Sequence, residues 1–114
     1  MLHSDAPISG EHLPLDAALA IGAGERAGVK INEEHALAWL TINPARSLHL
    51  EDKIGSLEPG KNADVVLWSG DPFSVYSRAD LVLIDGAVVY DLNDSTKQAV
   101  SDFEIGQPAL ARPQ

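Results

Sequence analysis

The first half of the chain repeats its apolar positions with a helical period. Pro14 suits the first turn of a helix, where the N–H that proline lacks is not needed. After Pro14 the apolar stripe of a first helix is formed by Leu15, Ala18, Leu19, Gly22 and Ala23. We expect Gly24 or Gly28 to end this helix, because glycine takes the left-handed cap conformation without strain.

Two shorter helices are predicted next. Asn32 is a good N-cap, and the two glutamates that follow it lie favourably in the first helical turn. The apolar face of this second helix would be Ala36, Leu37 and Leu40. Asn43-Pro44 repeats the combination of a cap residue and a first-turn proline, and therefore predicts a third helix that runs to about Leu50.

From Ile54 onward the pattern favours β structure. Residues 58–61 form a turn in which Pro59 presets the second position and Gly60 supplies a positive φ at the third. The run over 64–68 predicts a buried strand. Residues 81–90 predict a hairpin closed by the two-residue turn Asp85-Gly86.

The composition excludes several classes of function. Seventeen acidic residues against eight basic ones give a net charge of −9, which disfavours binding to nucleic acid or to an anionic membrane. No apolar run approaches the length of a membrane span. The chain has no cysteine, so a metal site would have to use histidine, carboxylate or a modified lysine. The sequence is compatible with a location in the cytoplasm or in the periplasm.

Several short motifs then occur in a fixed order. Asn43-Pro-Ala is followed by Gly55-Ser-Leu-Glu-Pro-Gly-Lys and by Ala63-Asp-Val-Val-Leu, and Ile84-Asp-Gly comes later. Upstream of them the chain begins with Leu2-His-Ser-Asp. In the order and spacing of these motifs the sequence resembles the C-terminal portion of a metal-dependent amidohydrolase, most closely the imidazolonepropionase and prolidase branch.

The resemblance implies an α/β fragment. Residues 1–50 would be the last strand and helices of an amidohydrolase (β/α) barrel, whose chemistry lies at the carboxyl ends of its strands. Residues 51–106 would be the C-terminal strands of a small composite β-sandwich. Residues 107–114, with two prolines and no periodicity, predict a disordered tail.

Asp5 is the candidate catalytic and metal-binding residue. By resemblance it is the aspartate at the end of the eighth barrel strand, which binds a divalent metal and accepts a proton from the metal-bound water. The chemistry is consistent with this role, because a divalent cation lowers the pKa of its bound water and a nearby carboxylate can take the proton. The alternative is an ordinary strand-end or N-cap aspartate.

His3 and His12 are weaker candidates for contacting substrate or supporting the metal ligands. His3 precedes Asp5 by two residues, so both side chains would project from the same side of an extended strand. A packed, hydrogen-bonded histidine explains His3 equally well. His12 follows in the loop, where it would line the rim of a pocket or simply face solvent.

Two functions of different class are consistent with these residues. In the first, the chain belongs to a hydrolase that cleaves C–N bonds in a non-peptide amide, a cyclic amide or a dipeptide through a metal-activated water, with zinc as the metal. The remaining ligands would then lie upstream, because a catalytic zinc uses three protein ligands. The isolated chain would be inactive and would self-associate through uncovered apolar faces. In the second, it is a truncated or interaction module that keeps the fold without the chemistry.

Overall fold

The computed structural model describes residues 1, 2, 4 and 10–98, and within them three helices precede a small sheet. The helices are α1 (Leu13–Arg26), α2 (Glu33–Leu40) and α3 (Ile42–Ser47). The strands are β1 (Val65–Trp68), β2 (Ala79–Ile84) and β3 (Ala87–Asp91). The predicted order of helices followed by antiparallel strands is confirmed. The tail predicted over 107–114 lies outside the described residues.

The helix ends follow from local backbone chemistry. Asn32 caps α2, since its Oδ1 accepts a hydrogen bond from the His35 N–H at 2.8 Å. Gly28, at φ 80°, ends α1. The third helix differs from its prediction: it begins at Ile42 and not at Pro44, because the sharp break lies at Thr41, with φ −123° and ψ −92°. Pro44 is still accommodated in the first turn.

The helices α1 and α3 end with the same hydrogen-bonding pattern, but the residue that takes the positive φ differs between them. After α3, the Leu50 N–H donates to the Ala45 carbonyl at 2.9 Å and the His49 N–H to the Arg46 carbonyl at 3.1 Å. This is a Schellman motif, in which the residue after the C-cap takes a positive φ. Gly28 occupies that position after α1, whereas His49, at φ 56°, occupies it after α3.

We therefore expect His49→Gly to raise the free energy of unfolding by about 0.5–1 kcal/mol, because glycine adopts a positive φ at no steric cost. The His49 side chain is exposed, so its loss removes little packing. Urea denaturation measures the effect. Gly28→Ala is the reciprocal variant and should destabilise the chain by a similar amount. A His49→Gly variant less stable than the parent would contradict the expectation.

The fully buried side chains among the described residues are small. Ala17 and Ala36 have no exposed area and Ala45 is 2% exposed, one from each helix. The helices therefore approach one another at alanines. The stripe prediction is wrong at Leu19, which is 70% exposed, and at Leu37, which is 44% exposed. Periodicity identified apolar residues that remain partly or largely exposed in the described part of the chain.

The sheet has the strand order β1-β2-β3, and both pairings are antiparallel. The predicted hairpin is confirmed, with Asp85 and Gly86 both at positive φ between β2 and β3. The Asp64 carboxylate accepts a hydrogen bond from the Asp85 N–H at 2.9 Å and so ties β1 to the hairpin. Burial of β1 was wrongly predicted, because most of that strand is exposed.

Candidate functional site

The two strongest candidates from the sequence, Asp5 and His3, lie outside the described residues. Their roles stay predictions. Leu2, which precedes them, donates its N–H to the carbonyl of Trp39 at 3.2 Å. The first residues of the chain are thus attached to the end of α2.

His12 lies at the N-terminal end of α1. Its side chain is 61% exposed, and its Nε2 is 3.4 Å from Oε1 of Glu11, whose side chain is 71% exposed. His12 makes no side-chain cap to the helix. This placement agrees with the solvent-facing alternative, and a contact with substrate stays a prediction.

A crevice of about 130 Å³ adjoins this end of α1. The start of the helix forms one wall and the segment from the end of β1 to Ser77 forms the other. Its lining residues are Glu11, Pro14, Leu15, Trp68, Pro72, Ser74, Val75 and Ser77. The lining is mainly apolar, with one carboxylate and two hydroxyls, so it suits packing better than acid–base chemistry.

Within residues 1, 2, 4 and 10–98, no cluster of three or more histidine, aspartate or glutamate side chains is arranged to hold a metal ion. His35 and His49 are both exposed. The same residues include no helix long and apolar enough to cross a bilayer. A metal centre that used side chains of residues 1, 2, 4 and 10–98 would therefore need at least one further ligand from outside them.

The most connected polar cluster surrounds the turn at Pro59-Gly60. The Lys61 Nζ donates to the Ser56 Oγ at 2.6 Å, and that hydroxyl donates to Oε1 of Glu58 at 2.7 Å. Lys61 also lies 3.3 Å from the same carboxylate oxygen. A lysine in a turn is ordinarily exposed, but the Lys61 side chain is only 12% exposed. The turn folds the aliphatic stem of the Lys61 side chain inward, and its amine remains hydrogen-bonded.

This cluster was missed in the sequence, although its spacing carries a signal. Glu58 and Lys61 are the first and fourth residues of the turn, whose backbone closes with the Lys61 N–H donating to the Glu58 carbonyl at 3.2 Å. A turn brings its first and fourth residues together. Because each of the three polar groups has a partner within the cluster, the arrangement stabilises the turn and leaves no free nucleophile.

The cluster predicts a pH dependence of stability. The hydrogen bond from Ser56, and then the hydrogen bond and charge of Lys61, hold the pKa of the Glu58 carboxyl below its ordinary value. Because the folded-state pKa is depressed, the contribution to stability is present above the unfolded pKa of about 4.3 and is lost as the pH falls through the folded value. The side chain is exposed, so the effect is small.

We expect Glu58→Gln to lower the melting temperature slightly at pH 7 and to lower it less at an acidic pH, where the Glu58 carboxyl is protonated in the folded chain. Thermal denaturation of the parent and the variant at both pH values measures this difference. Asp94→Asn is a second variant for which the same dependence on pH is expected, because hydrogen bonds from Thr96 also lower the pKa of the Asp94 carboxyl. An equal loss from Glu58→Gln at both pH values would mean that charge is not the cause.

A family model described as the amidohydrolase family matches residues 1–104. The chain belongs to the amidohydrolase family. This confirms the family predicted from the sequence motifs.

Individual relatives agree with the family match. The chain is 34% identical over 86 residues to an imidazolonepropionase from Bacteroides thetaiotaomicron, covering 71% of this chain and 19% of the relative. It is 49% identical over 55 residues to a 5-methylthioadenosine/S-adenosylhomocysteine deaminase from Teredinibacter turnerae, covering 46% of this chain and 12% of that one.

A solved structure extends the likeness to the fold. The amidohydrolase from Thermotoga maritima MSB8 superimposes with a TM-score of 0.63 at 46% sequence identity, over 70% of this chain and 19% of that chain. This amidohydrolase chain thus spans about a fifth or less of the length of each of these three proteins. Members of the family are hydrolases that act on C–N bonds.

Proposed function

We propose that the chain is the C-terminal part of a metal-dependent amidohydrolase that hydrolyses a C–N bond in a non-peptide amide, a cyclic amide or a dipeptide. The observation that carries this proposal is the family match over residues 1–104, which includes the position of Asp5. The matched part of the chain covers only about a fifth or less of each relative, so the isolated chain is expected to be inactive.

The fold proposal divides the chain as the sequence motifs do. Residues 1–50 would complete a (β/α) barrel with its last strand and helices, and residues 51–106 would contribute strands to a composite β-sandwich. The described arrangement of α1, α2 and α3 followed by a three-stranded antiparallel sheet supports this division. The likeness to the Thermotoga maritima amidohydrolase supports it as well.

The metal proposal rests on Asp5. The described residues alone do not fit a metal centre, because no three ligand side chains converge among them. A catalytic zinc typically takes three protein ligands and a water. We therefore place one ligand, Asp5, in this chain and the others elsewhere in a longer polypeptide. A bound divalent metal would supply a water of lowered pKa.

The substrate is proposed to be a small amide-type molecule, and nucleic acid and membranes are not expected partners. The net charge of −9 disfavours binding to nucleic acid and to anionic membranes. The alternative is a non-catalytic interaction module. It is favoured only if the 114-residue chain is itself the gene product, because the described residues contain no metal-binding cluster of their own.

The coding sequence upstream of the Met1 codon tests the proposal first. An open frame that carries a His-x-His motif on a predicted strand is expected. The extended polypeptide should then release amine or ammonia from a panel of cyclic and acyclic amides and should lose that activity when a chelator removes its metal. An extended polypeptide that binds no metal would contradict the proposal, and a stop codon directly before Met1 would favour the non-catalytic module.

A further inference from the structure

The turn between β2 and β3 contains an aspartate followed directly by a glycine, Asp85-Gly86. Every other aspartate or asparagine in the sequence precedes a residue that carries a Cβ. Both residues of the pair are exposed, and both have a positive φ, 50° at Asp85 and 78° at Gly86. A peptide nitrogen that follows an aspartate can attack the carboxyl carbon of that side chain, and glycine hinders the attack least because it has no Cβ. Asp85 is therefore the most reactive aspartate that the sequence offers.

The reaction is an isomerisation that consumes only water. The Gly86 nitrogen forms a bond to Cγ of Asp85, and the hydroxyl of the neutral carboxyl leaves as water together with the proton of that nitrogen. The product is a cyclic imide, to which water then adds. Cleavage at Cγ restores aspartate, whereas cleavage at the main-chain carbonyl carbon leaves isoaspartate, in which the backbone runs through Cβ. One water is lost and one is gained, so the mass of the chain does not change.

Two hydrogen bonds hold the folded turn away from the geometry that this reaction requires. The Gly86 N–H donates to the Ala63 carbonyl at 3.0 Å, and the Asp85 N–H donates to Oδ1 of Asp64 at 2.9 Å. To form the imide, the Gly86 nitrogen has to rotate towards the Asp85 side chain and lose its proton, and both changes break its bond to Ala63. The bond to Asp64 restrains the backbone on the other side of Asp85. The two residues directly before β1 thus restrain the reactive pair.

We propose that Asp85 is a site of isoaspartate formation and that the attachment of its turn to Ala63 and Asp64 controls the rate. The folded turn reacts only while it is detached from these two residues, so the rate follows the fraction of time for which it is detached. Solvent-exposed hydrogen bonds at a turn open locally at a small cost in free energy, without unfolding of the sheet.

The modification would disrupt the hairpin. Isoaspartate adds one atom to the main chain inside a two-residue turn, and such a turn sets the register of the strands on both sides of it. Ile84 pairs with Ala87 directly beside the turn, and Leu83 pairs with Val88 next to them. We expect these pairs to be lost first in the modified chain. The reaction needs no metal and no substrate, so it is independent of the proposed hydrolase activity.

Peptide mapping of the 114-residue chain tests the site, with electron-based fragmentation to distinguish aspartate from isoaspartate. In urea, where the chain is unfolded, isoaspartate should appear at position 85 before any other position. In buffer without urea it should form at 85 more slowly, because the turn is attached for most of the time. Isoaspartate that forms first at another position in urea, or equal rates at 85 in the two solutions, would overturn the proposal.

Two alanine variants test the control by Asp64. Asp64→Ala removes the acceptor of the Asp85 N–H, and in buffer it should raise the rate at 85 by about two- to tenfold, the factor that corresponds to one hydrogen bond. Asp71→Ala is the matched control, because it removes another exposed carboxylate, whose Oδ1 accepts a hydrogen bond from the Phe73 N–H at 2.8 Å. It should leave the rate at 85 unchanged. Equal rates in the two variants would refute the control by Asp64.

Two further measurements separate local detachment from general unfolding. In urea the parent and both alanine variants should react at the same rate, because the intrinsic chemistry of the pair is unaltered. Asp64→Asn keeps an oxygen acceptor for the Asp85 N–H, so in buffer its rate should lie between those of the parent and Asp64→Ala. Circular dichroism checks that each variant is folded, and if Asp64→Ala is not, Asp64→Asn is compared with Asp71→Ala instead. An Asp64→Asn chain that is folded and reacts no faster than Asp71→Ala would then count against the proposal.

Discussion

Replacing Gly55 by alanine is expected to lower the free energy of unfolding by about 2–5 kcal/mol. A Cβ at this position would lie 2.7 Å from the Ala45 Cβ, 3.0 Å from the Ile42 Cα and 3.1 Å from the Thr41 carbonyl oxygen. These atoms belong to α3 and the residue before it, two of them to the backbone, so they cannot move aside cheaply. The backbone at Gly55 also has φ 90°, which strains any residue with a Cβ.

The chain offers a matched control for separating the two causes. Gly60 has φ 93°, close to that of Gly55, but a Cβ built there meets no atom within 4 Å. Gly60→Ala therefore carries only the conformational cost, of about 0.5–1 kcal/mol, as expected for Gly28→Ala. Urea denaturation followed by circular dichroism compares the two variants. Equal losses would show that the close approach to α3 contributes nothing.

The size of this effect follows from how α3 is held. Ala45 is one of the three buried alanines, and the segment 50–55 returns along α3, with the Ile54 N–H donating to the Leu50 carbonyl at 3.0 Å. A domain of this size is usually stable by only about 5–15 kcal/mol. A single added methyl group at Gly55 thus removes a large share of what holds the helical part together.

Local backbone chemistry was the part of the fold that the sequence predicted well. The Asn32 cap, the Pro59-Gly60 turn and the Asp85-Gly86 hairpin each depend on residues a few positions apart, and all three are present. Such features need no information about distant elements. Thr41 lacks a comparable signal, and the start of α3 was therefore misplaced.

Burial was predicted less well, because it depends on which surfaces meet. Leu19, Leu37 and most of β1 have the apolar character of a core, yet none of these residues is buried among the described ones. Their periodicity indicates a face that another element could cover, and it does not identify that element. Lys61 differs in the other direction: its side chain is mostly covered, because the chain around the turn brings it to Ser56 and Glu58.

The candidate site could be predicted only through the resemblance. A metal centre brings together side chains from distant strands, so one aspartate and its neighbours carry no recognisable ligand spacing. The sequence supplied Asp5 and the family context, and the family is now shown. No three ligand side chains converge among the described residues, and Asp5 lies outside them, so its role stays a prediction.

In a longer hydrolase that contains this chain, Asp5→Asn is expected to reduce kcat/KM by about a hundredfold or more. An asparagine has nearly the same size, but its amide oxygen is neutral and cannot accept a proton at neutral pH. The variant should also retain less metal after dialysis, because a neutral oxygen is a weaker ligand for a hard divalent cation. Steady-state kinetics and elemental analysis measure the two effects.

Asp16→Asn is the matched control, because Asp16 is an exposed carboxylate in the first turn of α1 and lies in the same part of the chain. It should keep both activity and metal. If Asp5 were instead an ordinary strand-end aspartate, Asp5→Asn would lower the melting temperature and leave kcat/KM and metal content close to those of the control. The two roles therefore separate on catalysis and metal content, which a purely structural aspartate would not change.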